Sequence, residues 1–200
     1  PLLDRYTAAE HMLAMRDGTK LHTIVVAPNE HAEPLPFVML RTPYGVANWS
    51  RHFASYLKEL AEDGYVFVFQ DIRGRFGSEG TFVMQRPLRA TDPQLQFDEC
   101  TDAFDTIDWL TKNIAHTNGR VGMLGVSYDG WTTIQAAVDP VPRPTFIPLS
   151  TNSTARLAAT NLALSIGESS AGMAVSIGAF APYRHSGTGI RAAFVRQTDP

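Results

Sequence analysis

The hydrophobic pattern of the first 150 residues predicts strands and helices in alternation. Short apolar runs, bounded by proline, glycine or polar turns, indicate strands at residues 21–26, 37–40, 65–69 and 120–124. Apolar residues at helical spacing predict helices at residues 50–64, 99–113 and 128–138. Because strands and helices alternate, we expect an α/β fold with a mostly parallel sheet covered on both faces.

The composition changes near residue 141. Residues 141–200 contain no lysine and only two acidic residues, Glu168 and Asp199. Residues 151–200 are rich in alanine, serine, threonine and glycine, and they show little sustained periodicity. Two interpretations of this tail stay open: a cap-like insertion built from small residues, or an altered reading of the coding sequence.

Composition and charge exclude several classes of protein. The 200 residues are 44% hydrophobic and 18% charged, which is typical of a globular protein with a sizeable core. The net charge is only -3 and no run of like charges is present, so we expect no nucleic-acid partner. Polar residues interrupt the most apolar stretch, residues 157–182, so the sequence predicts no transmembrane helix and no membrane partner.

Cysteine and histidine patterns add little chemistry. The single cysteine, Cys100, cannot form an internal disulfide, and no histidine and carboxylate cluster has metal-ligand spacing. We therefore predict neither a metal nor a cofactor. No secretory signal is visible near the first residue, Pro1, and both a periplasmic and a cytoplasmic location stay open.

The strongest chemical signal is the hexapeptide Gly-Val-Ser-Tyr-Asp-Gly at residues 125–130. It places Ser127 between a predicted buried strand and a predicted helix, which is the context of a nucleophile elbow. The motif departs from Gly-x-Ser-x-Gly, since Asp129 holds the position of the second glycine, which follows at Gly130. The alternative is an ordinary turn in which Ser127 only caps the helix.

Several segments together resemble the α-amino acid ester hydrolases. That family belongs with cocaine esterase and the X-prolyl dipeptidyl peptidases among the α/β-hydrolases. The resemblance runs in order over about residues 8–145, and its motifs are RTPY at 41–44, QDIRGRFGSEG at 70–80, FVMQRPL at 82–88, DECTDAFDTIDWL at 98–110 and NGRVGMLGVSYDG at 118–130. It implies that residues 1–150 are the N-terminal part of an α/β-hydrolase catalytic domain.

The resemblance also implies a mechanism. Ser127 becomes the acylated nucleophile, and the oxyanion accepts hydrogen bonds from the Tyr128 amide and the Tyr44 phenol. The implied reaction is hydrolysis or acyl transfer on small α-amino acid esters or amides, of the kind used for β-lactam antibiotics. An X-prolyl dipeptidyl peptidase-like activity is the enzyme alternative. For Tyr44, packing beside the neighbouring prolines is the structural alternative.

Further charged residues lie close after the predicted strands at residues 65–69 and 120–124. Asp129 either helps to hold a substrate ammonium or lies in the first helical turn, facing water. Asp71, Arg73 and Arg75 follow a buried strand, and we interpret them as structural support of the rim. Arg73 is expected to pair with Asp71 or with the loop around Glu79.

The histidine and acid of a catalytic triad are not evident. In an α/β-hydrolase both follow the nucleophile, yet His185 is the only histidine after Ser127. A pair of Glu168 and His185 has the right order but no visible strand ending at either residue. The sequence thus leaves open a truncated, catalytically incomplete fragment as the alternative to an active enzyme, and it leaves homo-oligomer formation open as well.

Overall fold

The computed structural model describes residues 2–53, 55, 57–89, 91–92, 94–138, 145–147, 164–169, 172–177 and 193–196. Its strands are Tyr6–Ala14 (β1), Lys20–Pro28 (β2), Leu35–Thr42 (β3), Val66–Asp71 (β4), Thr117–Val126 (β5), Thr145–Ile147 (β6), Leu164–Ser169 (β7), Gly172–Ile177 (β8) and Ala193–Arg196 (β9). Its α-helices are Ser50–Phe53 (α1), Lys58–Asp63 (α2), Glu99–Asn113 (α3) and Tyr128–Val138 (α4), preceded by a 3-10 helix at Leu2–Arg5.

The centre of the sheet is parallel. The order runs β1-β2-β4-β3-β5 and continues through β8 to β7. Strand β3 pairs in parallel with both β4 and β5, whereas β2 pairs antiparallel with β1 and β4. The α/β prediction is therefore confirmed, with antiparallel strands added on both sides of the parallel centre. Because parallel strands share a direction, the carboxyl ends of β3, β4 and β5 meet at one edge of the sheet.

Side chains alternate between two cores. On β3 and β4, Val38, Leu40, Phe67 and Phe69 pack on one face with residues of α1 and α2. Their neighbours Phe37, Met39, Val66 and Val68 pack on the other face with α3 and with Ala136 of α4. Both faces of the central strands are buried, which is why the sequence shows continuous apolar runs there.

Several elements differ from the sequence-based expectation. Strands β7, β8 and β9 form within the tail, which shows little sustained periodicity, and β7 ends one residue after Glu168, where the sequence indicates no strand end. Strand β1 was not predicted, because most of its residues are exposed and only Tyr6 and Leu13 are buried, so an apolar repeat is missing. The predicted helix over residues 50–64 forms as two short helices instead. The second one ends at Gly64, whose φ of 90° is the left-handed conformation of a C-terminal cap. No helix in the described ranges is long and apolar enough to cross a membrane.

Candidate active site

Ser127 lies in the turn between β5 and α4, at the edge where the parallel strands end. Its side chain is exposed and its backbone φ is 58°. A positive φ is strained for a residue with a Cβ atom, and an ordinary N-cap residue has extended backbone instead. The geometry therefore favours a nucleophile elbow over a simple capping turn.

Gly125 allows this turn to be tight. A Cβ atom at residue 125 would overlap the backbone of Asp129 and Gly130 in the first turn of α4. Since backbone atoms cannot move aside as a flexible side chain can, only glycine fits between β5 and α4 here. The first glycine of the motif thus determines how closely the helix approaches the strand behind Ser127.

The N-terminal end of α4 lies beside Ser127 and offers backbone amides there. The Ser127 carbonyl accepts a hydrogen bond from the Trp131 amide (3.0 Å), which begins the helix. The amides of the first helical turn, including that of Tyr128, have no partner within the helix and carry its positive dipole. An oxyanion formed at Ser127 would meet a donor of this kind.

Tyr44 lies in the loop after β3, and its side chain is 61% exposed. Burial raises the pKa of the Tyr128 phenol, and the nearby phenol of Tyr44 adds to that rise. The two tyrosines are thus close enough to interact electrostatically. This leaves the Tyr44 hydroxyl open to a ligand at the edge that carries Ser127.

Asp129 is partly buried in the first turn of α4. Its Oδ1 atom is buried and accepts no hydrogen bond from the described residues. Burial raises the pKa of the carboxyl group to about 6, although a hydrogen bond with Thr42 opposes this rise. The burial of Oδ1 favours the ammonium-binding interpretation of Asp129 over the water-facing one. A partly desolvated carboxylate without a cation can accept a positively charged group.

Arg73 has different partners from those predicted. Its guanidinium is 2% exposed and bonds Asp102 (2.6 Å) and Asp17 (2.6 Å), not Asp71 or Glu79. It also stacks on Phe97, with 3.8 Å between the guanidinium carbon and the ring centroid. The sequence expectation failed because Asp17 and Asp102 come from distant segments. Arg73 ties the β4 end to α3 and supports the edge that carries the site.

The general base and acid are not among the residues brought together here. His185 lies outside the described residues, and Glu168 is described only as part of β7. Within the described ranges, no group of three or more histidine, cysteine or acidic side chains has the arrangement of a metal site. The site as described consists of Ser127, two tyrosines and one acid.

The sheet and the strained serine turn define the class, an α/β-hydrolase. The sequence pattern of the X-Pro dipeptidyl-peptidase (S15) family matches residues 17–160, and the chain belongs to that family. Cocaine esterase from Rhodococcus sp. (strain MB1 Bresler) is 40% identical over 137 residues, which are 67% of this chain and 21% of that protein.

Two solved structures are similar over the same region. An α-amino acid ester hydrolase is 45% identical with a TM-score of 0.63, over 68% of this chain and 24% of that one. An aminopeptidase from a marine sediment Thaumarchaeota archaeon is 40% identical with a TM-score of 0.63, over 69% of this chain and 24% of that one. The chain thus spans about a quarter or less of these relatives.

Proposed function

We propose that this chain supplies the nucleophile and the oxyanion hole of a serine hydrolase that acts on α-amino acid esters or amides. The observation that carries the proposal is Ser127 at φ 58° between β5 and α4. Strain of this kind persists only where surrounding structure enforces it, and it is common at catalytic sites. Gly125, closely packed against α4, is the enforcing contact.

In the proposed reaction Ser127 Oγ attacks the substrate carbonyl carbon and gives up its proton to a general base. The carbonyl electron pair moves to oxygen, then re-forms the double bond as the alcohol or amine leaves with a proton. The acyl-enzyme is resolved by water or by an amine, which takes the acyl group. The base is a residue other than the four described in the site.

The oxyanion is held by the Tyr128 amide and the Tyr44 hydroxyl. Both are hydrogen-bond donors at the edge where β3 and β5 end, and Tyr44 is exposed there. A donor aimed at developing charge stabilises the transition state more than the ground state. Loss of one such donor typically raises the barrier by about 3 kcal/mol.

Asp129 gives the proposal its substrate class. Asp129 is two residues after Ser127 in the sequence, and its buried Oδ1 has no hydrogen-bond partner among the described residues. A substrate α-ammonium would neutralise the carboxylate. An ester lacking the amine would leave this desolvated charge in place, so the site would discriminate against it. The X-Pro dipeptidyl-peptidase match favours a second candidate, cleavage of peptides with a free amino terminus. Such a substrate would place its ammonium group on the same carboxylate.

A fluorophosphonate probe tests the nucleophile. We expect intact mass and peptide mapping to show one adduct, on Ser127, that disappears in Ser127→Ala and persists in the control Ser55→Ala. An adduct requires an activated serine hydroxyl, so labelling confined to Ser127 would support both the nucleophile and a general base beside it. A folded protein that labels several serines alike, or none, would overturn the proposal.

A further inference from the structure

We infer that Asp71 and Arg75 are positioning residues that hold the backbone of the Tyr44 loop, residues 43–46, so that the phenol meets the oxyanion. The inference rests on the proposed function and extends it to residues that touch no substrate. The contacts that hold the loop come from residues 71–77, which begin at the last residue of β4. We call this segment the clamp.

Asp71 makes the first contact between the clamp and the Tyr44 loop. It is 2% exposed, and its Oδ1 accepts a hydrogen bond from the Val46 amide (3.1 Å). Its Oδ2 accepts from the Gly77 amide (3.2 Å) and lies 3.0 Å from Nδ1 of His22. One buried carboxylate thereby joins the Tyr44 loop to the far end of the clamp, with charge-assisted bonds in a low-dielectric setting.

Arg75 and Phe76 are the second and third contacts. Arg75 Nε donates to the Pro43 carbonyl (3.0 Å). A Cβ atom at Gly45, whose φ is 93°, would lie 3.0 Å from the Phe76 ring, so the ring packs directly on this glycine. Phe76 itself has a φ of 45°, an unusual conformation for an aromatic residue.

The three contacts share one target. Pro43, Gly45 and Val46 are all held through their backbone, while the Tyr44 side chain between them stays 61% exposed. These contacts fix the loop backbone without covering the phenol. A fixed backbone with an exposed phenol is the arrangement that a preorganised hydrogen-bond donor requires.

A double-mutant cycle separates positioning from general structure. The rate of Ser127 labelling by fluorophosphonate is measured for Asp71→Asn, Arg75→Met and Tyr44→Phe, and for both combinations with Tyr44→Phe. Arg120→Met, which removes an exposed arginine at the other end of β5, is the matched control. Arg75 is only partly buried, so Arg75→Met keeps the test valid if Asp71→Asn does not fold.

Loss of the Tyr44 hydroxyl should slow labelling about 10²-fold. Loss of a clamp contact should slow it about tenfold, because misplacement by about 1 Å is enough for such an effect. In the Tyr44→Phe background the clamp substitutions should cause no further loss, because residues that act through one group are not additive. Equal losses in both backgrounds, or no loss in either, would overturn the inference.

A second readout does not depend on Ser127 chemistry. Incorporation of 3-fluorotyrosine, with the resonance assigned by its absence in Tyr44→Phe, reports the order of Tyr44 by ¹⁹F NMR. We expect one narrow Tyr44 line in the unsubstituted protein and in Arg120→Met, and a broadened or split line in Arg75→Met. If Ser127 does not label, the proposed function fails, while an unchanged line in Arg75→Met independently refutes the clamp.

Discussion

Replacement of Asp129 by asparagine should make the protein more stable at neutral pH. Burial raises the pKa of this carboxyl from 3.8 to about 6 in the folded state. Between these two values the unfolded chain binds fewer protons than the folded chain, so stability falls as the pH rises from about 4 to about 6. Asparagine carries no charge at any of these pH values, so the stability of the Asp129→Asn variant should not fall in this way as the pH rises.

The magnitude follows from the shift. Two pKa units at about 1.4 kcal/mol each make the charged form about 3 kcal/mol less favourable in the folded protein above pH 6. The amide forms a weaker bond with Thr42, which offsets about 1 kcal/mol. We expect Asp129→Asn to raise the free energy of unfolding by about 1–2 kcal/mol at pH 8. Near pH 4 the Asp129→Asn variant should no longer have the higher free energy of unfolding.

Urea unfolding, followed by circular dichroism from pH 4 to pH 8, measures the effect. The control is Glu30→Gln, which neutralises an exposed carboxyl. Because Asp129 stays in place in this control, the control should keep the fall in stability between about pH 4 and pH 6. Equal pH profiles for the Asp129→Asn variant and the unsubstituted protein, or a variant that is less stable at pH 8, would refute the destabilising burial of the Asp129 carboxylate beside Ser127.

Three further outcomes are expected. Gly125→Ala should lower the free energy of unfolding by about 3 kcal/mol or more in urea titrations, since its Cβ atom meets backbone of α4; an unchanged midpoint would contradict the tight turn. Arg73→Met should cost about 3–5 kcal/mol because it leaves buried Asp102 unpaired, and Asp102→Asn should restore part of the loss; no rescue would contradict the pairing. The 200-residue chain should hydrolyse phenylglycine methyl ester only slowly and in a Ser127-dependent way, and rapid Ser127-dependent turnover would point to His185 as the base.

The central fold was predictable because burial on both faces leaves a strong pattern. The bounds of α3 and α4 agree with the sequence expectation, since Asp98 and Thr101 form a capping box before α3 and the elbow motif precedes α4. Strand β1 was not predictable, because an exposed edge strand has few positions that need apolar residues.

The site was predictable at the level of motifs and not of contacts. The position of Ser127 between strand and helix follows from the sequence, whereas the hydrogen bond between Asp129 and Thr42 joins segments that are distant in sequence. For Asp71, Arg73 and Arg75 the sequence indicates only general support of the rim. The contacts of the clamp join residues 43–46 to residues 71–77 through loop backbone, and no periodic pattern records such contacts.

The most direct measurement is a crystal structure of the protein after reaction with a fluorophosphonate. The account predicts phosphorus bonded to Ser127 Oγ, with Ser127 still at positive φ. The phosphonyl oxygen should lie about 2.7–3.1 Å from both the Tyr128 nitrogen and the Tyr44 hydroxyl oxygen. An adduct on another residue, or a Ser127 adduct whose oxygen faces solvent away from both tyrosines, would contradict it.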